Sequence, residues 1–456
     1  MQKRIFIVCI VLACVFSAWL FAAFLGPWAF ERFSIGAGIA VTSATAICLL
    51  TTFFRWLAAQ DLFAPWIAFP IAYILWFSIG SFNLFNDPDP PPYGAIALGL
   101  ACYLAGTWLG KAIWKPAGVA SGVKEQWSPE RFQSLIIALA LISLLAYALI
   151  AVQMGIPGFG AVAAERRLDL IHYGKSQFIF LCGAWTVLIF LATRLWTRAP
   201  ESSNSSKATL LAMAFIAALI LSLGSRGNLF VPIVTIVIAR HYLFRKTNLK
   251  WAISIGLLAF VAASYLGWAR DAMGYGETSL GNLQFNGAGL FYLYFYVHNT
   301  VTTLRDVMAT IPLSVPYQHG YLSFGALASI LPGHHISSDM FFRQILGLNF
   351  LGFGQPATLL GPMYGDFGLA GIAVQMVALG AFCTWAHTWM LRKRTVFTVL
   401  MYAWLSQVAI YSIYGALLAY FTDVAIPIAW VLLHVFLRAQ QPVKASYGEA
   451  PLAAGG

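Results

Sequence analysis

Charge is what this chain has least of. Of its 456 residues only 9% are charged, with 16 Asp and Glu set against 27 Lys and Arg. Soluble domains carry about 25% charged residues to keep their surfaces wet, so a water-soluble fold is excluded. Paired cysteine ligands are lacking too. Cys9, Cys14, Cys48, Cys102, Cys182 and Cys383 all fall in apolar runs without metal-ligand spacing, which argues against both a disulfide framework and a zinc site. Asp366-Phe367-Gly368 spells the magnesium-binding triplet of kinases, but no Gly-rich loop, strand lysine or catalytic loop accompanies it. Its glycines read instead as a helix break. The net charge of +11 would suggest nucleic acid in a soluble protein; here its distribution over the loops matters more, and no nucleic-acid partner is expected.

What is abundant is apolar: 60% of the residues are hydrophobic and 15% aromatic. The expected fold is an all-α polytopic membrane protein. Lys3 and Arg4 precede an apolar run, Ile5 to Leu25, which lacks a small-residue cleavage site and reads as a retained first helix. Further spans follow at Ile35 to Phe54, Leu62 to Phe82, Ala95 to Trp114, Ser134 to Met154, Phe178 to Leu195, Ala208 to Leu223, Leu229 to Ala239 and Trp251 to Trp268. Roughly 90 residues without a convincing span come next, too aromatic and apolar to be disordered, and they read as a membrane-hugging cap of short helices. The tenth span begins near Pro356 with a break around Gly365 to Gly368; Val396 to Tyr411 and Asp423 to Leu437 complete 12.

This layout divides the chain into helices 1 to 9 (residues 1–269), a cap (270–355), helices 10 to 12 (356–438) and a polar tail (439–456). Both termini fall on one side. Of the 27 Lys and Arg, eight lie on the other side (Arg32, Arg166, Arg167, Lys175, Arg226, Arg270, Arg305 and Arg343), leaving 19 with the termini. By the positive-inside rule the termini are cytoplasmic and the cap is on the outer side.

Arg226 is the costliest of the outer cations. It sits in Gly224-Ser225-Arg226-Gly227-Asn228 between two apolar runs, and an arginine within hydrocarbon costs about 2.5 to 3.5 kcal/mol on insertion scales. Such a residue either faces a cavity with an anionic partner or snorkels to the headgroups. Arg166 with Arg167, Arg270 and Arg343 also lie beside predicted helix ends or in the cap. Arginine forks hold carboxylate or phosphate, so the pattern fits a di-anionic headgroup at the outer face; the alternative is scattered arginines paired with Glu165, Asp169, Asp271 and Asp339. Tyr292, Tyr294 and Tyr296 could stack on sugars or form an interface belt, and His387 and His434, near cytoplasmic helix ends, suggest no catalytic part.

Three motifs in order carry a resemblance. Gly224-Ser225-Arg226-Gly227-Asn228, then Ile330-Leu331-Pro332-Gly333, then Pro356-Ala357-Thr358-Leu359-Leu360-Gly361 leading into Tyr364-Gly365-Asp366-Phe367-Gly368-Leu369-Ala370-Gly371 resemble the Wzy-type oligosaccharide repeat-unit (O-antigen) polymerases. The resemblance implies a GT-C-like integral glycosyltransferase at the periplasmic face of a bacterial inner membrane. It would join undecaprenyl-diphosphate-linked glycans, donor and acceptor, by inverting transfer, with a chain-length regulator and a flippase as partners.

That chemistry needs cations for the leaving diphosphate and a base for the attacking hydroxyl. Arg226 and Arg270 are the first choices for the diphosphate, with Arg167 and Arg343 next; the cap offers His334, His335 and Asp339 as bases, though exposed histidines are often merely solvated. No outer cluster of carboxylates has metal-ligand spacing, so neither a metal nor any other cofactor is expected. Two other readings stay open. An O-antigen ligase would share the donor and the arginine logic, and a lipid-linked sugar flippase or transporter would share the topology. The transporter reading lacks support from the spans: the middles of the first nine hold no Asp, Glu or Lys, and the halves show no repeat.

Overall fold

The computed structural model describes residues 61–81, 89–114, 127–154, 174–197, 203–223, 227–248, 254, 290–325, 337–348, 355–417 and 421–438. Among these residues the chain forms eleven helices and no strand, apart from an isolated bridge between Trp127 and Arg438. The helices are α1 (Pro65–Gly80), α2 (Tyr93–Ile113), α3 (Pro129–Met154), α4 (Gly174–Thr197), α5 (Ser203–Ser222), α6 (Gly227–Leu243), α7 (Leu290–Thr310), α8 (Ser338–Ile345), α9 (Leu360–Lys393), α10 (Val396–Tyr411) and α11 (Phe421–Leu437). Four of them, α2, α3, α4 and α9, are long and apolar enough to cross a bilayer, and α1, α5, α6, α10 and α11 contain shorter apolar stretches. Each predicted span within the described residues coincides with one of these nine helices. The first two spans and all of the ninth except Ser254 lie outside the described residues.

Among the described helices, α2 and α9 share the most extensive contact. Gly99 of α2 lies over Leu360, Gly106 over the carbonyl of Val377, and Gly110 beside Thr384, so the two helices run parallel. Gly380 of α9 meets the backbone of Tyr103 in return. Glycines four apart, as at Gly106 and Gly110, remove the side-chain layer and let backbones touch, which is how helices gain van der Waals contact in a solvent as apolar as themselves. α1 packs antiparallel on α2: the Tyr73 hydroxyl donates to the Ile96 carbonyl (2.8 Å) and the Tyr103 hydroxyl to that of Pro65 (3.0 Å).

α3, α4, α5, α6, α10 and α11 enclose a second core, in which Trp404 stands between Trp185 and Trp430 with ring centroids 6.0 and 5.6 Å away. Indole N–H groups need acceptors when buried. Trp185 finds the Asn228 carbonyl, Trp404 that of Asp423, and Trp430 the Thr186 hydroxyl. Outward, α3 exposes Leu141, Leu145 and Leu149, one helical turn apart, with Val152 85% exposed. A stripe of that kind is stable facing lipid and not water.

α2 and α9 begin on one face of the bundle, the Leu360 face, and end on the opposite Lys393 face. Basic residues close the last turns of α2, α4, α6 and α9: Lys111, Arg194, Arg240, Arg392 and Lys393. The break expected in the tenth span is present. α9 is interrupted at Phe367 (φ −145°, ψ 19°) and Gly368 (φ 64°, ψ −151°). A Cβ at Gly368 would lie 2.9 Å from the Tyr317 hydroxyl, in a backbone region that disfavours side chains, so glycine is required twice over.

The cap differs from the reading as short helices, because α7 is 21 residues long. Its sequence hides this. His298, Thr300 and Thr303 lower its hydropathy, yet all three are buried and hydrogen-bonded: the His298 ring at Nδ1 to the Gly80 carbonyl (2.8 Å), and the two threonines to carbonyls of their own helix. α7 turns this polar side toward protein, and its arginine, Arg305, pairs with Asp306 and donates to the Asp89 carbonyl.

Candidate active site

Two polar clusters stand out, one near each face. On the Leu360 face the short helix α8 carries two of the residues expected to act, Asp339 and Arg343, one turn apart. Ser337 caps the helix by accepting from the Met340 amide (3.4 Å), Asp339 lies in its first turn where the helix dipole favours an anion, and Gly347 (φ 65°) ends it. Arg343 in the last turn donates from Nε to the Leu348 carbonyl at 3.2 Å, closing the turn that follows. Phe342, fully buried, enters a small core with Val307, Ile311, Leu322 and Ala357.

Asp339 is held by its backbone. Its carbonyl accepts from the Gln355 amide (2.8 Å), and the Gln355 side chain donates to the Thr303 hydroxyl on α7 (2.7 Å). The side chain is spent less fully. Oδ1 is buried and has no hydrogen-bond partner among the described residues. Burial raises the carboxyl to about 6 from the ordinary 3.8, against a smaller opposing effect of a Ser338 hydrogen bond. Asp339 and Asp423 both lie within electrostatic reach of Tyr411, the last residue of α10, whose ring packs on Phe230 in the first turn of α6. A half-buried carboxylate with one covered, uncommitted oxygen and a titration raised to about 6 is ionised at neutral pH and can accept a proton from a hydroxyl brought to it.

The other expected site residues, Arg226, Arg270, Arg167, His334 and His335, lie outside the described residues. Gly227, the first residue of α6, is the chain neighbour of Arg226. Tyr411, Asp423 and Gln355 served in the sequence reading only as ends of segments and were given no part in the site. Asp423 had a local signal, an acid in the first turn of an apolar helix, whereas nothing local marked Tyr411 or Gln355.

The second cluster, near the Lys393 face, gathers around Asp61. Its carboxylate accepts from the Tyr242 hydroxyl (2.9 Å to each oxygen) and the Phe63 amide (3.2 Å), and lies 3.1 Å from His241 Nε2 and 3.3 Å from His387 Nε2. Burial alone would raise the carboxyl, but hydrogen bonds from both imidazoles hold it well below the usual range. A metal is a poor fit. His241 Nδ1 accepts from the Thr247 amide (2.9 Å), so the ring proton belongs on Nε2, which donates to Asp61 and has no lone pair to offer. The cluster ties the chain before α1 to α6 and α9, and Tyr402 of α10 joins it by donating to the Phe63 carbonyl. His434, the other histidine of that face, stacks on Phe397 and accepts from Trp127 Nε1 (2.9 Å), a structural role. No set of three His, Cys, Asp or Glu side chains converges as metal ligands among the described residues.

Residues 40–422 match the family model described as "Putative O-antigen polymerase". No curated protein and no solved structure matches the chain. The matched region runs from before α1 into the first turn of α11, and so takes in α8, the break in α9 and Tyr411. An apolar helical bundle with this match along most of its length is a multi-pass membrane polysaccharide polymerase of that kind, and the chain belongs to the O-antigen polymerase family.

Proposed function

We propose that this protein is an inverting, metal-independent glycosyltransferase that polymerises undecaprenyl-diphosphate-linked repeat units at the periplasmic face of a bacterial inner membrane. The scaffold is GT-C-like, with 12 spans, both termini in the cytoplasm and residues 270–355 as a periplasmic cap. Two observations support this orientation: basic residues close four helices at the Lys393 face, and α8 with its carboxylate belongs to the opposite one. A flippase that delivers the units and a regulator of chain length are the partners this reaction calls for.

The observation that carries the mechanism is the uncommitted, buried Oδ1 of Asp339. An acceptor sugar hydroxyl attacks the anomeric carbon of the donor, its proton passing to Asp339. The bond from that carbon to the diphosphate oxygen breaks, and the polyprenyl diphosphate leaves with the electron pair. Arg226 and Arg270, with Arg167 and Arg343 as the next choices, take up the negative charge that develops there, the part that cations play in phosphate chemistry generally. Asp339 is preferred to His334 and His335 as base because its burial brings its titration close to neutral pH.

Purified protein in lipid, given a defined undecaprenyl-diphosphate-linked repeat unit in the presence of EDTA, should convert it to a ladder of longer polymers. Absence of polymer, or polymer formed only after magnesium or manganese is added back, would refute the reading.

A further inference from the structure

The mechanism leaves unused a buried acid at the break in α9. Asp366 has no exposed surface, and its carboxylate accepts two backbone amides of the cap, Leu322 to Oδ1 at 3.0 Å and Ser323 to Oδ2 at 2.8 Å. The backbone beside it does the same work: the Gly365 carbonyl accepts from Gln318 (3.0 Å) and the Asp366 carbonyl from His319 (3.3 Å). Four hydrogen bonds thus sew one turn of the cap to the segment of α9 that precedes Gly368. The turn itself is unfavourable in isolation, with His319 at φ 51° and Gly320 at φ 98°.

What the turn delivers is Leu322. A Cβ at Gly365 would lie 2.6 Å from the Leu322 side chain and 3.7 Å from the Phe342 ring, and one at Gly361 would lie 3.3 Å from that ring. Leu322 and Phe342 therefore meet over Gly365, while Gly361 and Gly365, one turn apart, form the shelf on which the Phe342 ring rests. Phe342 lies between Asp339 and Arg343 in sequence and is the only fully buried side chain of α8 described. We propose that Asp366 is a positioning residue: by pinning the 318–323 turn to α9 it holds Leu322 against Phe342 and so sets where α8 presents Asp339.

A carboxylate suits this task because two backbone N–H groups converge on one side chain. An asparagine would accept from one and set its own NH2 against the other, so its effect should be graded rather than complete. The role in turnover rests on the reading of Asp339 as base. The structural coupling does not, and the two can be tested apart.

The experiment compares Asp366→Asn, Asp366→Ala and Leu322→Ala with the wild-type full chain in lipid. Amide hydrogen exchange is followed over residues 318–325 and 337–348, and kcat and KM are measured with the lipid-linked repeat unit. Asp366→Asn should speed exchange in both stretches and lower kcat about 10-fold to 100-fold, as expected for a misplaced catalytic group, with KM within about two-fold of wild type. Leu322→Ala should loosen 337–348 although the acceptor at residue 366 is intact. If Asp366→Ala does not accumulate, Asp366→Asn decides. The proposal is overturned if 318–325 loosens while 337–348 stays protected, if kcat is unchanged, or if the loss of rate only follows loss of protein. Should Asp339→Asn polymerise normally, the base reading fails alone, and the exchange data still decide whether Asp366 seats α8.

Discussion

Replacing Asp339 with asparagine separates function from stability in opposite directions, and the structure sets the size of each. The carboxyl is raised to about 6 from 3.8, and each pH unit between folded and unfolded titration corresponds to about 1.4 kcal/mol. Because the folded protein holds this proton more tightly than the unfolded chain, the contribution of Asp339 to stability is greatest below pH 4 and is lost as pH rises through 4 to 6. Above pH 6 the ionised group costs the fold on the order of 3 kcal/mol. Asparagine cannot ionise and keeps the shape. Near pH 7 its thermal midpoint in detergent should therefore equal or exceed that of wild type, while polymerisation falls ~100-fold to 10,000-fold, the range for loss of a general base. The wild-type rate should decline as pH drops through 6, and the residual rate of Asp339→Asn should not show that decline. Polymer ladders on a gel, melting curves and the pH–rate profile test the three statements together. Wild-type ladders from the variant, or a fall in melting temperature matching the lost rate, would refute the reasoning.

If the fork of Arg226 holds the donor diphosphate, Arg226→Lys keeps the charge but loses bidentate geometry, and both it and Arg226→Ala should fail to polymerise at near-normal membrane abundance. The alanine change should lower the rate on the order of 100-fold to 1,000-fold, and wild-type polymer from the lysine variant would show that the residue only snorkels. In a chain stripped of its six cysteines, single cysteines at Asp89 and Gly276 should react with an impermeant thiol reagent in the periplasm and one at Ser203 should not. Labelling at Ser203 in intact cells would invert the topology. Gly106→Ala places a methyl group on the Val377 carbonyl and should cost about 1 to 3 kcal/mol, seen as lower abundance and melting temperature, whereas Gly94→Ala, with nothing within 4 Å of the added carbon, should be silent. Equal abundance of the two would contradict the close α2 and α9 packing.

Composition and apolar run length alone determined the class of this protein and where nine of its eleven described helices lie, because a segment that crosses lipid must satisfy its backbone within itself. Val396 to Tyr411 was legible to the residue, and the break at Phe367 and Gly368 falls within the stretch read for it, Gly365 to Gly368, since both follow from local chemistry. The GxxxG pair at Gly106 and Gly110 was equally present in the sequence, but nothing local says which helix it will meet. α7 was missed because threonines and a histidine look the same in sequence whether they face water or are satisfied by protein. Only the tertiary structure brought Asp61 to His241 and His387, put Asp339 and Asp423 within electrostatic reach of Tyr411, and turned Asp366 from a helix-break motif into an acceptor for the cap. Burial and proximity between residues far apart in the chain depend on every helix packed between them, and those are what shift a carboxyl toward neutrality or commit its oxygens.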